Sequence, residues 1–207
     1  FIDATSIKLE NGSVIGTGKT TVSGYPKIDF FHDLENENTA TKLEQFYNSL
    51  LEKGNNKFLV STFKETNKYD YDNDFIVDYD FEIKNYSKKL GDEIYINLNL
   101  NKDLSFYKTD KKRENAIEYD YKRYFSYTTK LEIPTGYKVD YLPEAVTVSN
   151  SFLNSSIKYE VIKNEVIYKH TIELNFLILS LEEQKEVNKL IKKIERNYKE
   201  IVVLKKM

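Results

Sequence analysis

The sequence contains no cysteine. That excludes disulfides, thiolate metal sites and a cysteine nucleophile within this chain. Histidine occurs twice, at His32 and His170, so imidazole chemistry has two candidates at most. Neither sign of charge dominates: Lys+Arg is 31, Asp+Glu is 33, and the net charge is −2. Such a balance lacks the basic stripe that nucleic acid or an anionic membrane surface attracts. Long apolar runs are also missing. The stretch around Phe176-Leu177-Ile178-Leu179 is far shorter than the roughly 20 residues that span a bilayer. No signal peptide opens the chain, which begins at Phe1, as expected of a piece of a longer protein.

What is present is apolar and aromatic. Apolar residues make up 40% and aromatics 14%, with 17 Tyr and 12 Phe. A disordered chain carries far less sticky surface than this. At 207 residues the chain can form one large or two small domains and bury roughly 70% of its unfolded surface.

The stretch "NGSVIGTGKTT", residues 11–21, invites a phosphate-binding reading. A Walker A loop needs G-x-x-x-x-G-K-[ST], so that its backbone N–H groups can wrap a phosphate. Gly18-Lys19-Thr20 supplies the end, but the first glycine, Gly12, comes one residue too early and Ser13 holds the required position. The loop must also open a helix, and Thr21-Val22-Ser23-Gly24-Tyr25-Pro26 is not read as a helix start. Asn11-Gly12 instead predicts a type I′ hairpin turn between Ile7-Lys8-Leu9 and Val14-Ile15.

Two helices are expected. The first spans residues 42–53, with Thr41 and Glu44 as a capping box, Gly54 as the stop, and Leu43, Phe46, Tyr47 and Leu50 as an apolar stripe. The second spans residues 181–198, capped by Ser180 and Glu183, with Val187, Leu190, Ile191, Ile194 and Tyr198 as its stripe. Each stripe is narrow and flanked by charge, which suits a helix covering a sheet.

Period-two alternation marks the strands. Val77, Tyr79, Phe81 and Ile83 alternate with Asp78, Asp80 and Glu82. From Ile117 to Ile133 the apolar odd positions oppose Glu118, Asp120, Lys122, Lys130 and Glu132. A strand that long bends or passes between two sheets. Residues 157–161 and 166–174 predict a hairpin around Lys163-Asn164, and residues 201–204 a last strand buried on both faces. The expected fold is mainly β, of the α+β class: antiparallel β-sandwich-like sheets with two covering helices, at about 42–53 and 181–198. The charged break Lys111-Lys112-Arg113-Glu114-Asn115 suggests two lobes. Residues 1–112 would be a β-rich lobe with one helix, and 113–207 a sandwich-like lobe with the C-terminal helix and strand.

Candidate chemistry is sparse. Asp70, Asp72 and Asp74 alternate as in a calcium loop, but the positions that need Gly and Glu hold Phe75 and Phe81. An acidic strand entry accounts for them better. A catalytic histidine needs an orienting carboxylate and a nucleophile. His32 lies beside Asp33 without further support, and His170 shares a strand face with Tyr168 and Ile172, where a packed side chain is expected. No residue is assigned as catalytic, cofactor-binding or metal-ligating. Exposed tyrosines can stack on sugars while most rings fill cores. Tyr69, Tyr71, Tyr121 and Tyr124 are the candidate ligand-binding residues for a glycan or peptide.

One segment carries a resemblance. Arg113, the tyrosine-rich strand after it, Leu131-Glu132-Ile133-Pro134-Thr135-Gly136-Tyr137-Lys138-Val139 and Leu142-Pro143 are similar to a family of bacterial, typically exported proteins. These place a transglutaminase-like core between two β-rich domains of unknown function, and this chain resembles the domain after the core. The likeness runs on to Ile201-Val202-Val203-Leu204-Lys205-Lys206, and more weakly back to Leu9-Glu10-Asn11-Gly12-Ser13. It implies a non-catalytic accessory domain, not itself an enzyme, partnered by the upstream transglutaminase-like domain in the periplasm or outside the cell. The core's triad is Cys-His-Asp. No residue here matches its Cys or His. Asp3-Ala4-Thr5 resembles the stretch that holds its Asp, but the hairpin follows too soon for the role to be carried over.

Overall fold

The structure, a computed structural model, describes residues 1–35, 37, 39–109 and 113–207. The chain opens with strands β1 (Ile2–Glu10) and β2 (Ser13–Val22). Helices α1 (Tyr25–Glu35) and α2 (Ala40–Leu50) follow. Next come β3 (Phe58–Thr66), β4 (Phe75–Ile83), β5 (Lys88–Leu90) and β6 (Glu93–Ile96). A short 3-10 helix, Asp103–Tyr107, leads to β7 (Ile117–Glu118) and β8 (Arg123–Glu132). Strands β9 (Tyr137–Tyr141), β10 (Val146–Ser149), β11 (Leu153–Ile162), β12 (Glu165–Leu174) and β13 (Ile178–Leu179) precede helix α3 (Leu181–Asn197) and β14 (Val202–Lys206).

Among the described residues the strands form three sheets. The largest has eight strands in the order β10-β11-β12-β8-β1-β2-β4-β3; β5-β6-β14-β9 and β13-β7 form the others. The protein is thus a β-rich α+β fold with mostly antiparallel sheets and no barrel. One pair departs from the antiparallel expectation: β1 runs parallel to β8, from Ile2↔Ser126 to Ile7↔Leu131. A parallel pair needs a long crossover, and the whole stretch between the two strands supplies it. Strands from both sides of position 112 therefore share one sheet. The charged break itself, at Lys111-Lys112, lies outside the described residues.

The large sheet is packed on one face. On β4, Phe75, Val77, Tyr79, Phe81 and Ile83 are buried while Asp78 and Asp80 are exposed. That is the alternation of a sheet with one wet side. The expected turns are present at Asn11-Gly12 (φ 50° and 84°) and at Lys163 (φ 54°). The long strand after Ile117 does change sheets: β7 pairs with β13, and β8 joins the large sheet.

Among the described residues three α-helices cover the fold, one more than expected. Helix α1 starts at Tyr25, where no helix was expected. Pro26 falls in its first turn, where a missing N–H costs nothing and a fixed φ suits the helix. Its buried Phe31 packs edge-on against Phe75, Tyr69 and Tyr71. Helix α2 is capped by Thr39, whose hydroxyl accepts from the Lys42 amide at 3.3 Å, so Thr41 is not its cap. It ends at Leu50 rather than residue 53, and Lys53 is left free to turn inward. Helix α3 has the expected Ser180–Glu183 capping box and buries Val187, Ile191 and Ile194. Burying such a stripe contributes about 1.5–3 kcal/mol per side chain.

Candidate functional site

The buried face of the large sheet carries a row of polar groups. Thr20, Asp3, Tyr127 and His170 are in register across β2, β1, β8 and β12. Their fates differ along the row.

Asp3 is 3% exposed and its bonding is filled. Thr20 Oγ1 and Tyr79 Oη each donate to Oδ1 at 2.7 Å. Lys53 Nζ donates to Oδ2 at 2.6 Å, and Asn101 Nδ2 reaches the same oxygen at 3.4 Å. Burial works against the charged carboxylate, but Lys53 and these hydrogen bonds outweigh it and hold the Asp3 pKa below its usual range. Burial and the adjacent carboxylate push the Tyr79 phenol well up, so it stays a donor. The glycines of the "GTG" stretch belong to this arrangement. Gly16 and Gly18 face Phe81 and Tyr79 across the β2–β4 pair. A Cβ on Gly18 would sit 2.0 Å from the Tyr79 ring. Gly18-Lys19-Thr20 is thus mid-strand backbone that admits a tyrosine, with a helix only after the strand ends.

His170 is fully buried, and burial lowers its pKa from 6.5 to about 4. Its Nε2 lies 3.1 Å from Ser155 Oγ. Its ring packs edge-on near Tyr198 and Tyr168. Among the described residues Nδ1 has no partner. A hydroxyl is therefore present beside the base, but no orienting acid, and Ser155 is itself only 3% exposed. Asp3 lies two strands away, roughly 10 Å at ordinary strand spacing. His32 is solvent-facing on α1, 3.9 Å from Glu35.

Asp70 is occupied by its own loop. Its Oδ1 accepts from the amides of Asp72 and Asn73, and its Oδ2 from Asn73 Nδ2. Those bonds from Asn73 and Asp72 keep its carboxyl below the usual range. Among the described residues no three His, Asp or Glu side chains gather as metal ligands.

The four candidate tyrosines separate into two pairs. Tyr69 and Tyr71 rest on Phe31, on a loop anchored by the buried Lys27, whose Nζ donates to the carbonyls of Tyr71 and Asn73 at 2.8 and 2.7 Å. Tyr121 and Tyr124 instead line a cleft of about 490 Å³ beside the N-terminal end of α1. Tyr25 and Arg123 complete it. Tyr25 is 68% exposed and lies parallel to Tyr121, with ring centroids 5.8 Å apart and planes 12° apart. Arg123 sits over Tyr121 and Tyr119, at 4.4 and 4.8 Å from the ring centres. One of its five N–H groups donates to the Tyr121 carbonyl at 3.4 Å. Among the described residues no carboxylate pairs with it. Burial and a hydrogen bond to Asp29, at 3.0 Å, raise the Tyr121 pKa.

Sequence reasoning missed Tyr25 because its helix was missed, and Arg123 because its value lies in what surrounds it. The spacing of Tyr119, Tyr121 and Arg123 at alternate positions was the available signal. A second exposed surface lies at the β13–α3 junction. Leu177, Ile178 and Leu181 are 45%, 59% and 39% exposed within five residues of sequence.

This β-rich α+β chain with a surface cleft belongs to a described family. Residues 92–204, more than half the chain, match the model of a domain of unknown function with solved structure, DUF3858, and the chain is a member of that family. No curated protein matches the sequence. A crystal structure of a "putative protease" from Parabacteroides distasonis is similar at 17% identity with a TM-score of 0.45. The likeness covers 55% of this chain and 23% of that one, so this chain spans less than a quarter of that protein's length. No helix among the described residues is long and apolar enough to cross a membrane.

Proposed function

We propose that this chain is a non-catalytic accessory domain that packs on, or positions, a transglutaminase-like core in an exported protein. Membership of a family of unknown function agrees with an accessory role, and the Leu131–Val139 segment supplies the resemblance to such proteins. The groups best suited to chemistry are committed to the fold: Asp3 to Lys53, Thr20 and Tyr79, and His170 to a closed core. The observation that carries the docking role is the apolar surface of Leu177, Ile178 and Leu181. Exposed apolar groups clustered on a folded surface mark contact sites.

The test uses a transglutaminase-like domain encoded in the same reading frame, produced separately and titrated by calorimetry. Wild type is expected to bind, and Ile178→Glu to weaken binding about tenfold or more, as loss of an interface anchor does. Absence of such a domain from the gene, or equal binding by the variant, contradicts the proposal.

A second reading, a glycan- or peptide-binding module, is favoured by one observation: the exposed Tyr25 ring held parallel to the half-buried Tyr121. It does not compete for the Ile178 surface.

A further inference from the structure

We propose that the cleft lined by Tyr25, Tyr121 and Arg123 binds a carboxylate-bearing saccharide, a uronic acid oligomer, with a sugar ring on Tyr25 and the carboxylate on Arg123. This deepens the second reading above and rests on it.

Three observations select this ligand. First, the cleft offers flat ring faces. Tyr25 is 68% and Tyr124 46% exposed, and Tyr25 is held parallel to Tyr121. The apolar C–H face of a pyranose covers such a ring, and rigid rings lose little entropy on binding.

Second, the strand backbone beside the cleft is mostly paired. An extended peptide gains affinity by pairing with a sheet edge. Strand β8 pairs with β12 along its whole length and with β1 from Ser126 on, and the Phe1 amine donates to the Tyr124 carbonyl. Among the described residues this leaves a peptide only the short stretch at 121–124 to pair with, so recognition falls mainly to side chains, which suits a sugar.

Third, among the described residues Arg123 has no carboxylate in an ion pair with it. The rings of Tyr119 and Tyr121 fix its guanidinium plane, and among the described residues its N–H groups are committed to Tyr121 alone, at the carbonyl and the side chain. A planar carboxylate matches the remaining fork in two parallel hydrogen bonds. Lys122, which also lines the cleft, adds positive charge. Asp29 accepts a hydrogen bond from the Tyr121 hydroxyl at 3.0 Å.

The experiment is a titration of the full chain with trigalacturonate, followed by calorimetry and by tyrosine fluorescence, which no tryptophan masks. Neutral galactotriose is the control for charge. Triglucuronate is the control for ring stereochemistry. Saturable binding of trigalacturonate or triglucuronate is expected, with galactotriose about tenfold weaker or more, as for a lost charged hydrogen-bonding partner. Arg123→Gln should reduce uronate binding to the level of galactotriose and leave galactotriose unchanged. Tyr25→Ala, at an exposed position, should weaken all three sugars. Thermal melts matching wild type establish that both variants are folded.

Galactotriose binding as tight as the uronates, lost in Tyr25→Ala, overturns the acidic specificity while the glycan reading stands. No saturable binding of any of the three sugars, or binding indifferent to both variants, overturns the proposal and that reading together. A peptide that quenches the same tyrosines when the sugars do not overturns it in favour of a peptide site.

Discussion

Lys53 and Arg123 both meet tyrosine rings, in opposite ways. Lys53 is 5% exposed. Its Nζ lies 5.0 Å from the Tyr79 ring centre and 2.6 Å from Asp3 Oδ2. Arg123 stacks at 4.4 Å on Tyr121 in an open cleft with no carboxylate beside it among the described residues. A charge taken out of water must be paired, and the pair then depends on both partners. A charge left at a wet surface needs no partner and keeps its bonding capacity for something else. The first cluster reads as structure and the second as a place to bind.

The sharpest way to break this contrast is to remove one cation at a time. Lys53→Ala leaves Asp3 buried and unpaired, and should destabilise the chain by about 3–5 kcal/mol in urea unfolding. Restoring neutrality with Asp3→Asn and Lys53→Met together should recover a large part of that loss. Arg123→Ala should cost under about 1 kcal/mol, the scale of an exposed cation–π contact. Equal losses from the two single variants would erase the distinction.

Acid titration separates the two buried clusters. His170 binds its proton near pH 4 when folded, against 6.5 for the free side chain. The unfolded chain therefore takes up the proton first as pH falls. Stability should be full above about 6.5 and decline by about 3 kcal/mol as pH falls to about 4. Urea midpoints measured across that window check this, and His170→Gln should flatten the slope. Asp3 acts below that window. Its folded pKa is depressed, so its contribution holds above the unfolded value of 3.8 and is lost as pH falls further.

A smaller effect sharpens the packing side. Gly18→Ala places a methyl group against the Tyr79 ring and should cost about 1–3 kcal/mol, the range for overpacking. The smallest effect belongs to the docking surface. Ile178→Glu should change stability by less than about 0.5 kcal/mol, as exposed substitutions do, while weakening association with the core.

The legible parts of the sequence were those governed by local rules. The Ser180–Glu183 capping box, the Asn11-Gly12 turn and the alternation in β4 depend on residues close in sequence. Helix α1 was not legible because Thr21-Val22-Ser23-Gly24-Tyr25-Pro26 was not read as a helix start, although Pro26 sits in the one turn where proline is at home. The Thr39 cap was displaced by a rival threonine two residues on, with the same periodicity behind it. The sites depended on long-range register. Asp3 meets Lys53 from 50 residues away. Tyr25 meets Tyr121 only because β1 lies beside β8. Of the four tyrosines named as candidate ligand-binding residues, the structure brings Tyr121 and Tyr124 to one cleft and leaves Tyr69 and Tyr71 on Phe31.

Hydrogen–deuterium exchange of the chain, alone and mixed with the transglutaminase-like domain proposed to share its reading frame, tests the division of surfaces most directly. Slower exchange is expected across residues 177–183, with residues 23–26 and 121–125 unchanged. Protection of the cleft instead of the β13–α3 junction, or no protection anywhere at saturating core, would contradict it.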